Sequence, residues 1–481
     1  MDYRDITLET SASLQDVGST NQNFGLGAVF IVNEIGELNG IISDGDFRKA
    51  ILSGASLDEL AINYMNKSPF TLPDSTSLAD LAENIIKYKI IPIINKDGVL
   101  VNFYSNLHTS EVPISQPALK GNEIKYVMEC LETNWISSQG KFVNRFESEL
   151  SKYVNAKATV AVSNGTVAIQ LALSVLGVSD GDEVIIPSLT FGATANAVMA
   201  VGAKPCFVDV CRDTLNLDIN KTLAAINPNT KAIIAVDLYG VPFQMEHLRE
   251  KLSHRKDILL IQDCAESLGA YNNGKHTGSY ADACTFSFFA NKIITAGEGG
   301  AVCFFKDGYI DKAKVMRDHG MDPNNRYFHL LPGFNYRMTN IQAAIACGQL
   351  EKIDHIIDER RKIYNIYDNE FKALDLKFQS ITANNSSSPW LYTFRAIGQD
   401  IQRIQGLMKI NGIDTRRIFQ PLPDMPPFKK YMNHGTEVAY EAYRYGISLP
   451  TFYGMTSEQA LQVSKNLNSA IIKDESLGIK A

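Results

Sequence analysis

The sequence is sparing with tryptophan, carries no excess of positive charge and contains no long apolar run, and each shortage narrows what the chain can be. Lys and Arg number 46 against 53 Asp and Glu, a net charge of −7, so no basic face for nucleic acid is expected. No apolar stretch approaches the roughly 20 residues that span a bilayer. The opening Met1-Asp-Tyr-Arg-Asp-Ile6 lacks the basic-then-apolar layout of a secretory leader, so a cytoplasmic protein without membrane partners is expected. The seven cysteines are odd in number, scattered and without a C-x-x-C pair, which argues against a disulfide framework and against structural zinc; no metal is expected. What remains is a chain of 481 residues, 45% hydrophobic and 21% charged, with the composition of a globular protein of more than one domain.

The first hundred residues contain an internal repeat. Ile31-Val-Asn-Glu-Ile-Gly-Glu-Leu38 recurs as Ile93-Ile-Asn-Lys-Asp-Gly-Val-Leu100, each reading as strand, tight turn and strand. A helix is expected before each copy, from Ser77 to Lys89 in the second. The first copy continues into Ser43-Asp-Gly-Asp46 and a further helix; the second keeps Ser105 but has His108 where Asp46 stood. This stretch resembles a pair of CBS modules over Met1 to Leu107. The resemblance implies a nucleotide site at Ser43 and Asp46, with an adenine nucleotide as the expected ligand. A hydroxyl and helix-terminal N–H groups suit phosphate, and a carboxylate suits sugar hydroxyls. The same acids would serve equally to cap the helix that follows. The polar, proline-marked segment from His108 to Pro117 reads as a domain boundary.

The rest of the chain is organised around Thr285-Phe-Ser-Phe-Phe-Ala-Asn-Lys292, followed by Ile-Ile-Thr-Ala-Gly-Glu-Gly-Gly300. An apolar run of a buried strand ends, and Lys292 follows immediately. A lysine there is costly to bury unless paired or chemically modified, as in a Schiff base to a cofactor aldehyde. Upstream, the strand Ala158 to Val162 runs through Ser163-Asn-Gly-Thr166 into the apolar helix Val167 to Leu176, a layout that aims free N–H groups at an anion. The strand from Glu183 ends in a loop that holds Phe191, which either stacks on a flat heterocycle or fills core. Strands at Ala203 to Val208, Ala232 to Val236 and Ile258 to Asp263 complete a βα series that predicts a mostly parallel sheet with helices on both faces. Asp263 ends its strand where α/β sheets bind ligands, and a carboxylate there can keep a pyridine nitrogen protonated. Gln342 to Tyr364 reads as one long helix linking domains, Asn384 to Ser388 as a surface loop and Trp390 to Ala396 as a strand.

From about Val112 onward, the motifs Asn134-Trp-Ile-Ser-Ser138, Ser163-Asn-Gly-Thr166, Pro187-Ser-Leu-Thr-Phe191, Asp263-Cys-Ala-Glu266, Ser287 to Gly300 and Gly333-Phe-Asn-Tyr-Arg-Met338 resemble the DegT/DnrJ/EryC1/StrS sugar-nucleotide aminotransferases. Gly320-Met-Asp-Pro323 and Asn335 to Ala344 are most similar to the GDP-perosamine synthase branch. The resemblance implies an α/β, fold-type I pyridoxal-phosphate transferase with a small C-terminal α/β domain, behind an α+β CBS pair. The expected domains are 1–110 (CBS pair), 111–350 (cofactor-binding) and 351–481 (small). It implies Lys292 as the Schiff-base lysine and Asp263 as partner of the ring nitrogen. Glu266 approaches the phenolic oxygen, Phe191 stacks on the ring, and Gly165, Thr166 and Ser287 bind the phosphate. Asn335 reaches the phosphate of a neighbouring subunit, so a homodimer or higher homo-oligomer is expected. The expected reaction is transfer of an amino group from glutamate to a nucleotide-linked 4-keto-6-deoxy sugar, GDP-4-keto-6-deoxymannose in the nearest branch, for O-antigen or related lipopolysaccharide synthesis. A transaminase or dehydratase for another nucleotide sugar stands as the alternative, and a non-enzymatic cofactor- or nucleotide-sensing protein as a remoter one. Asp237 and Asp424 stand where relatives carry histidine, and both are expected to face the sugar nucleotide.

Overall fold

The computed structural model describes residues 2–475 apart from 77–79, 82, 83, 85, 86, 89 and 106–111, with the side chains of 472–475 left aside. His108 and part of the helix expected from Ser77 to Lys89 lie outside the described residues. The chain forms two compact units. One is built from the described N-terminal residues through Pro113 together with Gln402–Asp414 and the described residues 469–475; the other holds Ile114–Ile401 and Thr415–Asn468. Among the described residues, no helix is long and apolar enough to cross a membrane.

The N-terminal unit repeats one design twice. Thr7–Glu9 pairs parallel with Ala28–Val32, which pairs antiparallel with Leu38–Ser43. Leu72–Pro73, Ile90–Ile94 and Leu100–Ser105 do the same. The register slips at the same place in both hairpins, at Ile31/Val32 and at Ile93/Ile94. Each turn is tied by an asparagine: Asn33 Oδ1 accepts from the amides of Ile35 and Glu37, and Asn95 Oδ1 from those of Asp97 and Val99. Gly36 and Gly98 adopt left-handed φ values of 83° and 79°, which a β-carbon would strain. The two turns also exchange hydrogen bonds, Leu38 N to Gly98 O and Leu100 N to Gly36 O, both 3.0 Å. The repeat legible in the sequence is thus a pair of halves joined reciprocally at their turns.

The larger unit is built on an eight-stranded sheet. In chain order its strands are β1 (Ala158–Val162), β2 (Glu183–Pro187), β3 (Lys204–Val208), β4 (Thr230–Val236), β5 (Leu259–Asp263), β6 (Ala283–Ser287), β7 (Gly300–Phe304) and β8 (Asn433–His434). Across the sheet the order is β8-β3-β2-β4-β5-β6-β7-β1. Pairing is parallel from β8 to β6, while β7 runs antiparallel to both neighbours. Apart from the exposed two-residue β8, these strands are almost wholly buried, as their continuous Val/Ile/Leu/Ala runs require when helices cover both faces. A second, three-stranded antiparallel sheet is formed by Tyr392–Arg395, Gly446–Leu449 and Arg416–Arg417.

The single helix expected from Gln342 to Tyr364 is two, Asn340–Leu350 and Ile353–Glu370. The break falls at Glu351 and Lys352, with neither glycine nor proline to mark it. Lys352 instead reaches the buried Glu123, and Glu351 accepts from Asn122, Tyr126 and Arg145. Of the loop from Asn384 to Ser388, Asn384 is exposed, but Ser388 is fully buried and donates to the Leu268 carbonyl.

Substituting Gly36→Ala is expected to cost about 1–3 kcal/mol through its backbone conformation. Because the turns are reciprocal, hydrogen exchange of the whole chain should show faster exchange at both the Leu38 and Leu100 amides; acceleration at the mutated turn alone would contradict the coupling.

Candidate active site

Strand register gathers the candidate residues along one edge of the sheet. Val236 lies opposite Asp263, and Asp263 opposite Thr285, so β4 and β5 finish together and β6 runs two residues further to Ser287. The antiparallel β7 starts where they end: Gly300 pairs with Ser287 on one side and with Val162 on the other. Asp263, Ser287 and the turn after Val162 therefore share the carboxyl edge of the parallel strands, where α/β sheets bind ligands.

The anion turn is walled by close backbone contacts. Asn164 caps the helix Gly165–Leu176, accepting from the Val167 amide at 3.0 Å. A β-carbon on Gly165 would sit 2.8 Å from Ser287 Cβ, and one on Gly300 would sit 2.4 Å from the Asn164 carbonyl oxygen. These glycines let Ser287 Oγ, Thr166 and the helix start converge on one point.

Lys292 lies on the loop that follows β6, whose fold is held by bonds from Lys292 N to Phe289 O and from Ala296 N to Phe288 O. Its amine is 3.6 Å from Glu266 Oε1 and rests 4.1 Å from the centre of the Trp390 ring, with 14% of the side chain exposed. Burial pushes the Lys292 pKa down; Glu266 and Asp263 oppose that shift, and the charge of Arg416 adds to it. Glu266 is 5% exposed and accepts from the Tyr239 amide at 2.7 Å. Tyr239 sits at φ 53° and stacks on both Trp390 and Phe419.

Asp263 is 6% exposed and accepts from Thr194 Oγ1 and the Ala265 amide, each at 3.2 Å. Burial raises its pKa despite those donors and the nearby Lys292. Such a carboxylate favours a cationic hydrogen-bond donor close by, which would restore its ionised form.

Phe191 is 63% exposed, its ring tilted against Phe419 at 5.9 Å. Asn335 is not brought to Lys292 or Asp263. It is exposed, and its Oδ1 accepts from Arg337 at 3.1 Å. Its neighbour Tyr336 accepts from the Ser163 amide, so this stretch borders the anion turn. A cavity of about 590 Å³ lined by Trp135, Gln139, Arg317, Arg337 and Asn340 contains none of the candidate residues. Ser43 and Asp46 satisfy each other in the N-terminal unit. Ser43 Oγ donates to Asp46 Oδ2 at 2.6 Å, and the pair caps the helix Asp44–Leu52.

Asp237 does not face the cleft. It is fully buried, and its carboxylate accepts from Gln262 Nε2, the Phe243 amide, Ser267 Oγ and Thr277 Oγ1. It belongs to the scaffold behind Tyr239. Asp424 is partly exposed, with its Oδ2 buried and without a hydrogen-bond partner. Thr194, Tyr239 and Trp390 are contacts that the sequence reading missed. Trp390 had one signal, its rarity: it is one of two tryptophans in the chain.

The sequence profile of the DegT/DnrJ/EryC1/StrS aminotransferase family matches residues 117–468, and that of the CBS domain matches residues 60–105. A GDP-perosamine synthase from Caulobacter vibrioides is 40% identical over 366 residues, covering 75% of this chain and 98% of the relative. One from Vibrio cholerae is 38% identical, covering 73% and 97%. Among solved structures, a sugar aminotransferase from Streptococcus pneumoniae in its PLP form superposes with a TM-score of 0.71 at 28% identity, covering 75% of this chain and 99% of that one. A GDP-4-keto-6-deoxymannose-3-dehydratase variant with bound GDP-perosamine gives 0.69 at 25%, covering 74% and 100%.

The residues fit pyridoxal phosphate on their own chemistry. The glycine-walled turn suits its phosphate, the buried Asp263 carboxyl would be held ionised by a pyridinium donor, and Lys292 offers an amine whose pKa burial lowers. With most of its length inside the family profile and two GDP-perosamine synthases matched almost end to end, this chain belongs to the DegT/DnrJ/EryC1/StrS aminotransferase family of pyridoxal-phosphate-dependent enzymes.

Proposed function

We propose that the enzyme transfers an amino group from glutamate to a nucleotide-linked 4-keto-6-deoxy sugar, with GDP-4-keto-6-deoxymannose as substrate and the 4-amino sugar GDP-perosamine as product. The observation that carries the reading is the Lys292 amine, buried between Glu266 and the Trp390 ring beside the strand-end Asp263. Relatives named GDP-perosamine synthase, and a structural neighbour holding GDP-perosamine, support the sugar. Bound pyridoxal phosphate supplies the electron sink that makes the substrate's C–H bond acidic.

The chain's own residues do the rest. Gly165, Thr166 and Ser287 would hold the phosphate, Phe191 would cover the ring face, Asp263 would keep the ring nitrogen protonated, and Glu266 would stand at the phenolic oxygen. Lys292, with its pKa lowered by burial, accepts and returns the migrating proton. Asn335 completes the phosphate site of a second copy, which makes the working unit a homodimer. The setting is cytoplasmic, in supply of amino sugar for a surface polysaccharide such as O-antigen. Residues 1–110 form a regulatory module that takes an adenine nucleotide at Ser43 and Asp46.

Incubation with GDP-4-keto-6-deoxymannose and glutamate should yield a product whose mass reports a new amine. Lys292→Ala should lower that rate by roughly 100-fold or more. A product lacking nitrogen on the sugar would instead identify a dehydratase.

Glu266 gives a pH signature. Burial pushes its carboxyl up to about 7 from 4.5, so the folded protein holds that proton more tightly than the unfolded chain. The stabilisation is complete below about pH 4.5 and is lost as the pH rises through about 7. Cofactor-free wild-type protein should therefore lose melting temperature across that window more steeply than Glu266→Gln does.

For the N-terminal module, calorimetric titration of the full chain with AMP and ATP should give saturable heat that Asp46→Ala weakens. No heat with either nucleotide would retire that assignment.

A further inference from the structure

A buried arginine stands directly behind Lys292, with no ion pair to an acid among the described residues. Arg360 lies on the inner face of the helix Ile353–Glu370 and is 3% exposed. Among the described residues its guanidinium donates to main-chain carbonyls alone: Nη1 to Pro389 O at 3.3 Å and to Trp390 O at 3.0 Å, and Nη2 to Lys292 O at 3.2 Å. Its Nε is buried without a partner. Burial lowers its pKa to about 10, which leaves it a cation at neutral pH.

Burying a guanidinium on neutral acceptors alone is costly, and a methionine of similar length would fill the space more cheaply. The location of the three carbonyls gives the cation a use. They belong to the two segments that bring the reactive amine and its aromatic support together. The Trp390 ring lies 4.1 Å from the Lys292 amine, and its Nε1 donates to Asn291 O at 2.8 Å, one residue before that lysine. One fork thus grips the lysine's own carbonyl and the carbonyl of the tryptophan under its amine, while the indole N–H closes the loop from the other side. A planar guanidinium can span carbonyls from two segments in fixed geometry; an ammonium cannot.

We propose that Arg360 is a positioning residue, a buried cation that clamps the Lys292 backbone to Trp390 and so fixes where the lysine amine stands relative to Glu266. The proposal rests on the reading of Lys292 as the cofactor-bonding lysine, and its test reads the clamp without relying on turnover.

Trp135→Phe leaves Trp390 as the single tryptophan of the full-length chain. In that background, Arg360→Met should shift Trp390 emission to longer wavelength and raise its acrylamide quenching constant at least about twofold, as a ring freed from its carbonyl anchor becomes mobile. In cofactor-free protein, the pH profile of Lys292 acetylation, read by peptide mass spectrometry, should move from that of the parent. In the loaded enzyme kcat should fall roughly 10- to 100-fold with little change in KM, because placement and not binding is lost. Arg360→Lys keeps the charge and should show the same changes in weaker form, which keeps the test open should Arg360→Met fail to fold. A folded Arg360→Lys protein with parental quenching, acetylation profile and kcat would overturn the proposal. An inactive Lys292→Ala bears on the function proposed above, whereas Trp390 quenching reports on the clamp alone.

Discussion

The site depends on the withdrawal of one amine from water. Lys292 is held against an aromatic face and beside two buried carboxylates, and the competition between desolvation and those charges sets its protonation. Most of the surrounding construction can be read as meeting the cost of that burial. Glu266 is steadied by the Tyr239 amide, Tyr239 is braced by stacking on Trp390 and Phe419, and the turn that holds Tyr239 is pinned by the four donors on Asp237. Electrostatic arrangement of this kind is made in advance of the chemistry, so little has to reorganise when charge moves.

The scaffold makes the arrangement possible through register. Parallel strands that end in step bring residues more than a hundred positions apart to one line, and β7 alone turns back to deliver Gly300 to the same edge. Glycine at Gly165 and Gly300 then lets backbone approach backbone where a side chain would intrude. The cleft is shaped as much by missing β-carbons as by the groups that remain.

Much of this was legible in the sequence because it was local. Strand ends at Val162, Pro187, Val208, Val236 and Asp263 follow from apolar runs stopped by polar or turn-forming residues, and the anion turn from a strand, small polar residues and a helix in immediate succession. What was not legible was set by partners distant in the chain. Asp237 was expected in the cleft because it stands where relatives carry histidine; only the third dimension shows four donors turned toward it. Trp390 and Arg360 looked like ordinary strand and helix residues, since nothing near them in sequence names Lys292 as their contact. The break at Glu351 and Lys352 was hidden because side-chain pairing, and not a helix-breaking residue, creates it.

The reciprocal turns of the N-terminal unit bear on how that part of the chain can change over generations. Each half closes a hydrogen bond that begins in the other, so an insertion in one turn would disturb the other half as well as its own. Backbone bonds, however, place no demand on most side chains. The CBS profile is recognised in residues 60–105, whereas the first half keeps the same strand pairing, the same bulge and the same asparagine-tied turn. Lineage would then be preserved in the spacing of amides after it has faded from the alphabet, and the two halves are bound to inherit their turn lengths together.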